Sequence, residues 1–133
     1  MHLTYHARFN SPPHMLILAG TNSEFAGLEA RLAALTDADS LQIHTLPDIV
    51  CHALLKLTVL RSGSDRIIRG TGNDYTWHLD AESQLEAVEK IRTLAKSGTV
   101  GHQYFACHPS DGVSIQMSAG EHDFLSQPDA AGG

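Results

Sequence analysis

Two dipeptides carry the residue types best able to do chemistry, Cys51-His52 and Cys107-His108. Thiolate and imidazole are preferred zinc ligands, and four such groups could close a tetrahedral site. Each pair stands just ahead of an apolar alternation, so the two occupy corresponding places along the chain. Neighbouring residues of a regular strand point to opposite faces, however, so one dipeptide does not easily supply two ligands. The spacing also matches no CxxC or zinc-finger framework. These residues therefore read first as structural cysteines and surface histidines. His2 and His6 are four apart, which suits a shared metal on a helix, yet the residues around them alternate as in a strand. Glu121-His122-Asp123 is a further metal-capable group, placed where the chain reads as a solvated acidic end. A small metal-binding protein or metalloenzyme drawing on Cys51, His52, Cys107, His108 and His122 stands as the alternative function.

Covalent catalysis finds little support. GxSxG is absent, and Ser62-Gly63-Ser64-Asp65 is turn chemistry first. Gly70-Thr71-Gly72-Asn73 lacks the later glycine of a dinucleotide loop and the Lys-Ser/Thr of a P-loop. Tyr75, Trp77 and Tyr104 fall at strand positions, where sheet packing explains them better than base stacking. The expectation is a chain that is not an enzyme and carries no cofactor.

Charge is more informative than any motif. The net charge is −6, and no Lys or Arg follows Lys96, although Asp111, Glu121, Asp123 and Asp129 do. Asp37, Asp39 and Asp48 form a second acidic zone, while Lys56, Arg61, Arg66 and Arg69 gather the basic residues. Phosphate contacts need Lys and Arg, so an acidic chain is a poor general nucleic-acid binder. It is better suited to a basic protein partner. No run approaches the roughly 18 apolar residues of a membrane helix. The first residues lack a basic region followed by a long apolar core, so no secretory signal is read there. With two cysteines in 133 residues, a reducing compartment fits, and the expected location is the cytoplasm.

The elements that must position these groups follow from periodicity. Leu3, Tyr5, Ala7 and Phe9 alternate as a strand, ended by Pro12-Pro13. Met15 to Ala19 is a continuous apolar run, as in a strand buried on both faces. Thr21 and Glu24 have capping-box spacing, and Phe25, Leu28, Leu32 and Leu35 make one helical stripe. Strands are expected at Leu41 to Thr45 and at His52 to Arg61, and Ser62–Asp65 is expected to close a hairpin onto Arg66–Arg69. Tyr75, Trp77 and Leu79 alternate before a second helix that Asp80 opens. Its apolar stripe is expected to be Leu85, Val88, Ile91, Leu94 and Ala95, and Gly98 stops it. A last hairpin joins Gln103–Cys107 to Val113–Ser118 through the turn residues His108–Gly112. The implied fold class is α+β, with one antiparallel-rich sheet and two helices packed on one face. The two halves, Met15 to Val59 and Tyr75 to Met117, repeat a βαββ layout. Residues 1–126 are expected to form one domain, and 127–133 a flexible tail.

Gly101-His102-Gln103-Tyr104, the turn, the alternating strand, Ser118 and Glu121 together resemble the ending of small bacterial immunity proteins. These belong to polymorphic-toxin systems of the type VI or contact-dependent kind. The outline of the earlier chain is similar, although His122 stands where many such proteins carry an aromatic residue. The resemblance implies a non-enzymatic, cytoplasmic protein that binds and neutralises one cognate secreted toxin. Asp111, Glu121 and Asp123 around the hairpin are then the first expected contacts, with Asp37 and Asp39 second. Uncovered sheet edges would also allow a homo-oligomer.

Overall fold

The computed structural model of the chain describes residues 1–6, 14–47, 49–105 and 112–120. In the first half, β1 (His2–His6) pairs antiparallel with β2 (His14–Gly20), and α1 (Asn22–Ala33) follows. Then come β3 (Ser40–Gln42), the short β4 (Val50–Cys51) and β5 (Lys56–Arg61). The second half runs β6 (Arg66–Arg69), β7 (Asp74–Leu79), α2 (Ala81–Ala95), β8 (Gly101–Phe105) and β9 (Val113–Ala119).

The fold is α+β, as the sequence implies, but its strands divide into two sheets rather than one. One has the order β4-β1-β2-β9-β8 and the other β3-β5-β7-β6. Each has a parallel pair at its centre, β2 with β9 and β5 with β7. The reason lies in how the halves combine. The elements β1, β2, α1, β3 and β5 recur in order as β6, β7, α2, β8 and β9. Each half keeps its first two strands together and gives its last two to the other half's sheet. The repeat expected from the sequence is therefore present in the topology, one strand longer at the start of each half, and with its strands exchanged.

This exchange changes one local expectation. Ser62–Asp65 does not close a hairpin, because β7 lies between β5 and β6. The hairpin is the one between β6 and β7, closed by Gly70 N–H donating to Asp74 O at 2.8 Å. Two strands are also shorter than the alternation suggests. Ile43–Thr45 and His52–Leu54 are 3-10 turns, so the chain bends after β3 and again before β5. The last hairpin does form between β8 and β9, with Gln103 opposite Met117 and Phe105 opposite Ile115. Ala7, Phe9, the 106–111 turn and the 127–133 tail lie outside the described residues.

The core joins both sheets and both helices. Inward residues alternate as expected on β5 (Leu57, Val59), β7 (Tyr75, Trp77, Leu79) and β9 (Val113, Ile115, Met117). The sheets meet where the Tyr5 ring stacks on Tyr75 at 6.1 Å and Trp77 meets the Phe105 edge at 5.4 Å. Leu16, Ile17, Leu18 and Ala19 are all buried, which explains the continuous apolar run of β2. No helix among the described residues is long and apolar enough to cross a membrane.

Candidate binding surface

The two helices pack side by side and antiparallel, and an amide side chain from each start holds the other's end. Asn22 opens α1, and its Nδ2 donates to Leu94 O at 2.7 Å and Thr99 O at 3.0 Å. Its Oδ1 accepts from Gly98 N–H at 3.1 Å, and Gly98 takes a positive φ in the turn that follows α2, which ends where Lys96 becomes extended. Gln84 mirrors it near the start of α2. Its Nε2 donates to Leu32 O at 2.7 Å and Leu35 O at 3.0 Å, at the end of α1. Carbonyls at a helix end have no partner within the helix, so an outside donor is what allows these ends to be buried. Arg92 pairs with Glu29 at 2.7 Å between the helices.

Burying Gln84 sets what faces outward. Gln84 and Leu85 are adjacent on α2, so they point about 100° apart around its axis. Gln84 is turned inward, and its Oε1 accepts from Arg61 Nη1 at 2.6 Å. Leu85, expected in the apolar stripe, is instead 68% exposed. Ala87 takes the core position in its place, beside Val88, Ile91 and Leu94. Around Leu85 on the outer side of α2 stand Glu82, Glu86 and Glu89, all exposed.

Asp37 and Asp39 extend this acidic surface from the other helix. Both follow α1 and are exposed, close in the chain to the Leu35 carbonyl that Gln84 holds. Arg61 reaches Asp37 at 3.4 Å, and Thr36 Oγ1 donates to Asp39 at 2.9 Å. An ion pair this exposed contributes little to stability. The structure thus places Asp37 and Asp39 at the α1–α2 junction. Asp111, Glu121 and Asp123, the hairpin carboxylates, lie outside the described residues. Sequence reasoning missed Leu85, Glu82, Glu86 and Glu89 as a set. The run of Glu at 82, 86 and 89 was visible, but Leu85 among them read as core.

The metal-capable residues are divided. Cys51 is a half-buried free thiol at the end of β4, and burial pushes its pKa up, which disfavours the thiolate a metal needs. His6 ends β1, where burial holds its pKa down. Cys107, His108 and His122 lie outside the described residues. Among the described residues, no three of His, Cys, Asp and Glu converge as a metal set. A cleft of about 150 Å³ opens between the start of α1 and the turn after β3, lined by Glu24, Gly27, Arg31, Leu46 and Pro47. That is smaller than the several hundred Å³ usual for a drug-sized ligand.

No known family matches this chain, and no curated protein or solved structure shows significant similarity to it. The surface must therefore be read from its own chemistry. It offers a large apolar side chain in water beside Glu82, Glu86 and Glu89, with Glu86 facing Lys90 at 4.0 Å, on a helix held at both ends. Such a patch can dock a protein surface that carries a cavity for Leu85 and a basic rim.

Proposed function

We propose that this chain is a non-enzymatic binding protein that neutralises a basic protein toxin, as bacterial immunity proteins do. The observation that carries the reading is Leu85, 68% exposed on α2 with Glu82, Glu86 and Glu89 around it. Leaving a leucine in water forgoes the burial gain that a core position would give, about 2 kcal/mol. A partner that covers it recovers that energy at the interface. Asp37 and Asp39 widen the acidic rim. Rim charges raise the encounter rate with a basic partner, while the apolar anchor sets the dissociation rate.

The resemblance of the chain's last hairpin to immunity proteins supports the same class of partner. Under this reading, Asp111, Glu121 and Asp123 form a second contact set, to be tested separately from the helix surface. The experiment is binding of the purified protein to the toxin encoded beside it, measured by calorimetry. Leu85→Ser should weaken binding by roughly 30-fold, as expected of a central anchor worth about 2 kcal/mol. Reversing Asp37, Asp39 and Glu82 to Lys together should slow association and flatten its dependence on salt. Absence of binding to that protein overturns the toxin reading. Unchanged affinity with Leu85→Ser moves the interface away from α2.

A further inference from the structure

The chain leaves the first sheet at β4 and enters the second at β5, and the passage between them is strained. Ala53 and Leu54 both have φ of 57°, in the left-handed region that a Cβ disfavours. Neither is Gly, Asn or Asp, the residues that usually accept it. The turn is held from outside, because Asn73 Nδ2 donates to Ala53 O at 2.6 Å. Leu55 N–H also donates to His52 O at 3.1 Å. The strained turn buries nothing of its own, and Leu54 is 84% exposed.

What the turn does accomplish is to bring His52 against His2. Val50 and Cys51 pair in parallel with His2 and Leu3 of β1, and the turn that begins at His52 keeps its ring beside His2 instead of carrying it on along the strand. His2 Nδ1 and His52 Nε2 are 3.1 Å apart, and the ring centroids are 5.3 Å apart at an interplanar angle of 36°. Two nitrogens at this distance cannot both carry a proton toward each other. At least one presents a lone pair to the other. A tetrahedral ion with metal–nitrogen bonds of the usual length holds two imidazole nitrogens about 3.3 Å apart, so the pair needs to open by only about 0.2 Å.

We propose that His2 and His52 form a binding site for a divalent transition-metal ion of the zinc, nickel or copper type. Imidazole nitrogen suits these ions and not magnesium or calcium. Two imidazoles leave positions of a tetrahedral ion open to water, so the ion exchanges readily. Its affinity is that of a two-histidine site, in the micromolar range rather than that of a structural zinc site. Occupancy ties β1 of one sheet to the connector that enters the other, and so fixes the strained turn. The site is independent of the acidic surface on α2.

The test uses the full chain without a histidine tag, with zinc chloride or nickel chloride alone as the probe, in a non-chelating buffer near pH 7.5. Calorimetry should show one saturable equivalent, and zinc should raise the melting temperature. His52→Gln changes an exposed side chain, and should weaken binding at least about tenfold because one of two protein ligands is lost. Nitrogen-15 spectra of the imidazoles in the unaltered protein should show His2 Nδ1 and His52 Nε2 shifting first as zinc is added. That readout does not depend on any variant folding. The proposal is overturned by the absence of saturable binding below millimolar metal. It is equally overturned if His52→Gln binds as tightly as the parent, or if other imidazoles shift first.

Discussion

Replacing Gln84 by leucine keeps the volume of the side chain and removes three hydrogen bonds. Leu35 O loses its side-chain donor, Leu32 O keeps only the Leu35 N–H at 3.2 Å, and Arg61 Nη1 loses its acceptor. Buried groups left without partners cost about 1–3 kcal/mol each, partly relieved where water can reach the helix end. Gln84→Leu is therefore expected to destabilise the protein by about 3 kcal/mol in urea unfolding, although it makes the core more apolar. The matching change Asn22→Ala should cost about 1 kcal/mol, because Asn22 is half-buried and water can replace its bonds. These two residues show what the sequence withholds at this scale. The 3.6-residue period marks Val88, Ile91 and Leu94 as core, and they are. It offers the next inward position to Leu85, because periodicity weighs hydrophobicity and cannot see a carbonyl about 50 residues away awaiting a donor. The acidic patch stayed illegible for the same reason, since its apolar centre looked like core. Leu85→Ser separates the two roles. It should change stability by less than about 0.5 kcal/mol, as exposed substitutions do, while it weakens partner binding.

The helices were the most legible elements, because their starts are written in local chemistry. Thr21 Oγ1 accepts from Glu24 N–H at 3.1 Å, and Glu24 Oε1 accepts from Thr21 N–H at 2.9 Å, the reciprocal pair its spacing implies. At α2 the cap is Asp80, accepting from Ser83 N–H at 2.8 Å, and this bond holds the Asp80 carboxyl below the usual carboxylate range. For Glu24, burial pushes upward, but hydrogen bonds from the N-terminal ammonium and the Thr21 amide outweigh it and the net shift is down. Both groups are more acidic folded than unfolded. Their contribution to stability is thus complete above the unfolded carboxylate pKa, and is lost as pH falls through the folded values. The part of the unfolding midpoint set by these two carboxyls should hold from neutral pH to about pH 5 and drop between about pH 5 and pH 3, on top of the earlier loss that the depressed His6 brings as pH falls below about 6.5. The double variant Glu24→Gln, Asp80→Asn should start lower and fall less over that interval. An equal fall in both proteins would place the acid sensitivity elsewhere. Thr21→Ala should cost about 1 kcal/mol at neutral pH and less in acid, since the Thr21 hydroxyl also helps to hold the Glu24 carboxyl down.

At the scale of the whole molecule, strand identity was readable and strand partnership was not. Alternation places Val113, Ile115 and Met117 on a strand and points them inward, but nothing local says that β9 lies parallel to β2, with Val113 opposite His14. Turn chemistry misleads in the same way. Ser62–Asp65 does reverse the chain, yet the returning strand leaves a place that β7 fills. A residue can specify that the chain turns, whereas its neighbour in the sheet is chosen by the fit of distant faces. The exchanged arrangement makes a strong demand on folding, because neither half owns a complete sheet. The first half alone would leave β2 without β9 and β5 without β7, exposing both parallel centres and the Tyr5 ring that stacks on Tyr75. Two fragments divided at Gly63, an exposed position with no heavy atom within 4 Å of where a Cβ would stand, should each fail to unfold cooperatively. Mixed at equal concentration, they should associate one to one and regain a single cooperative transition, because two sheet centres and a helix pair join them. Circular dichroism melts of each fragment and of the mixture decide the matter. A fragment that melts cooperatively alone would show that a half can close its own sheet, and that the exchange is a preference of the joined chain rather than a requirement of the fold.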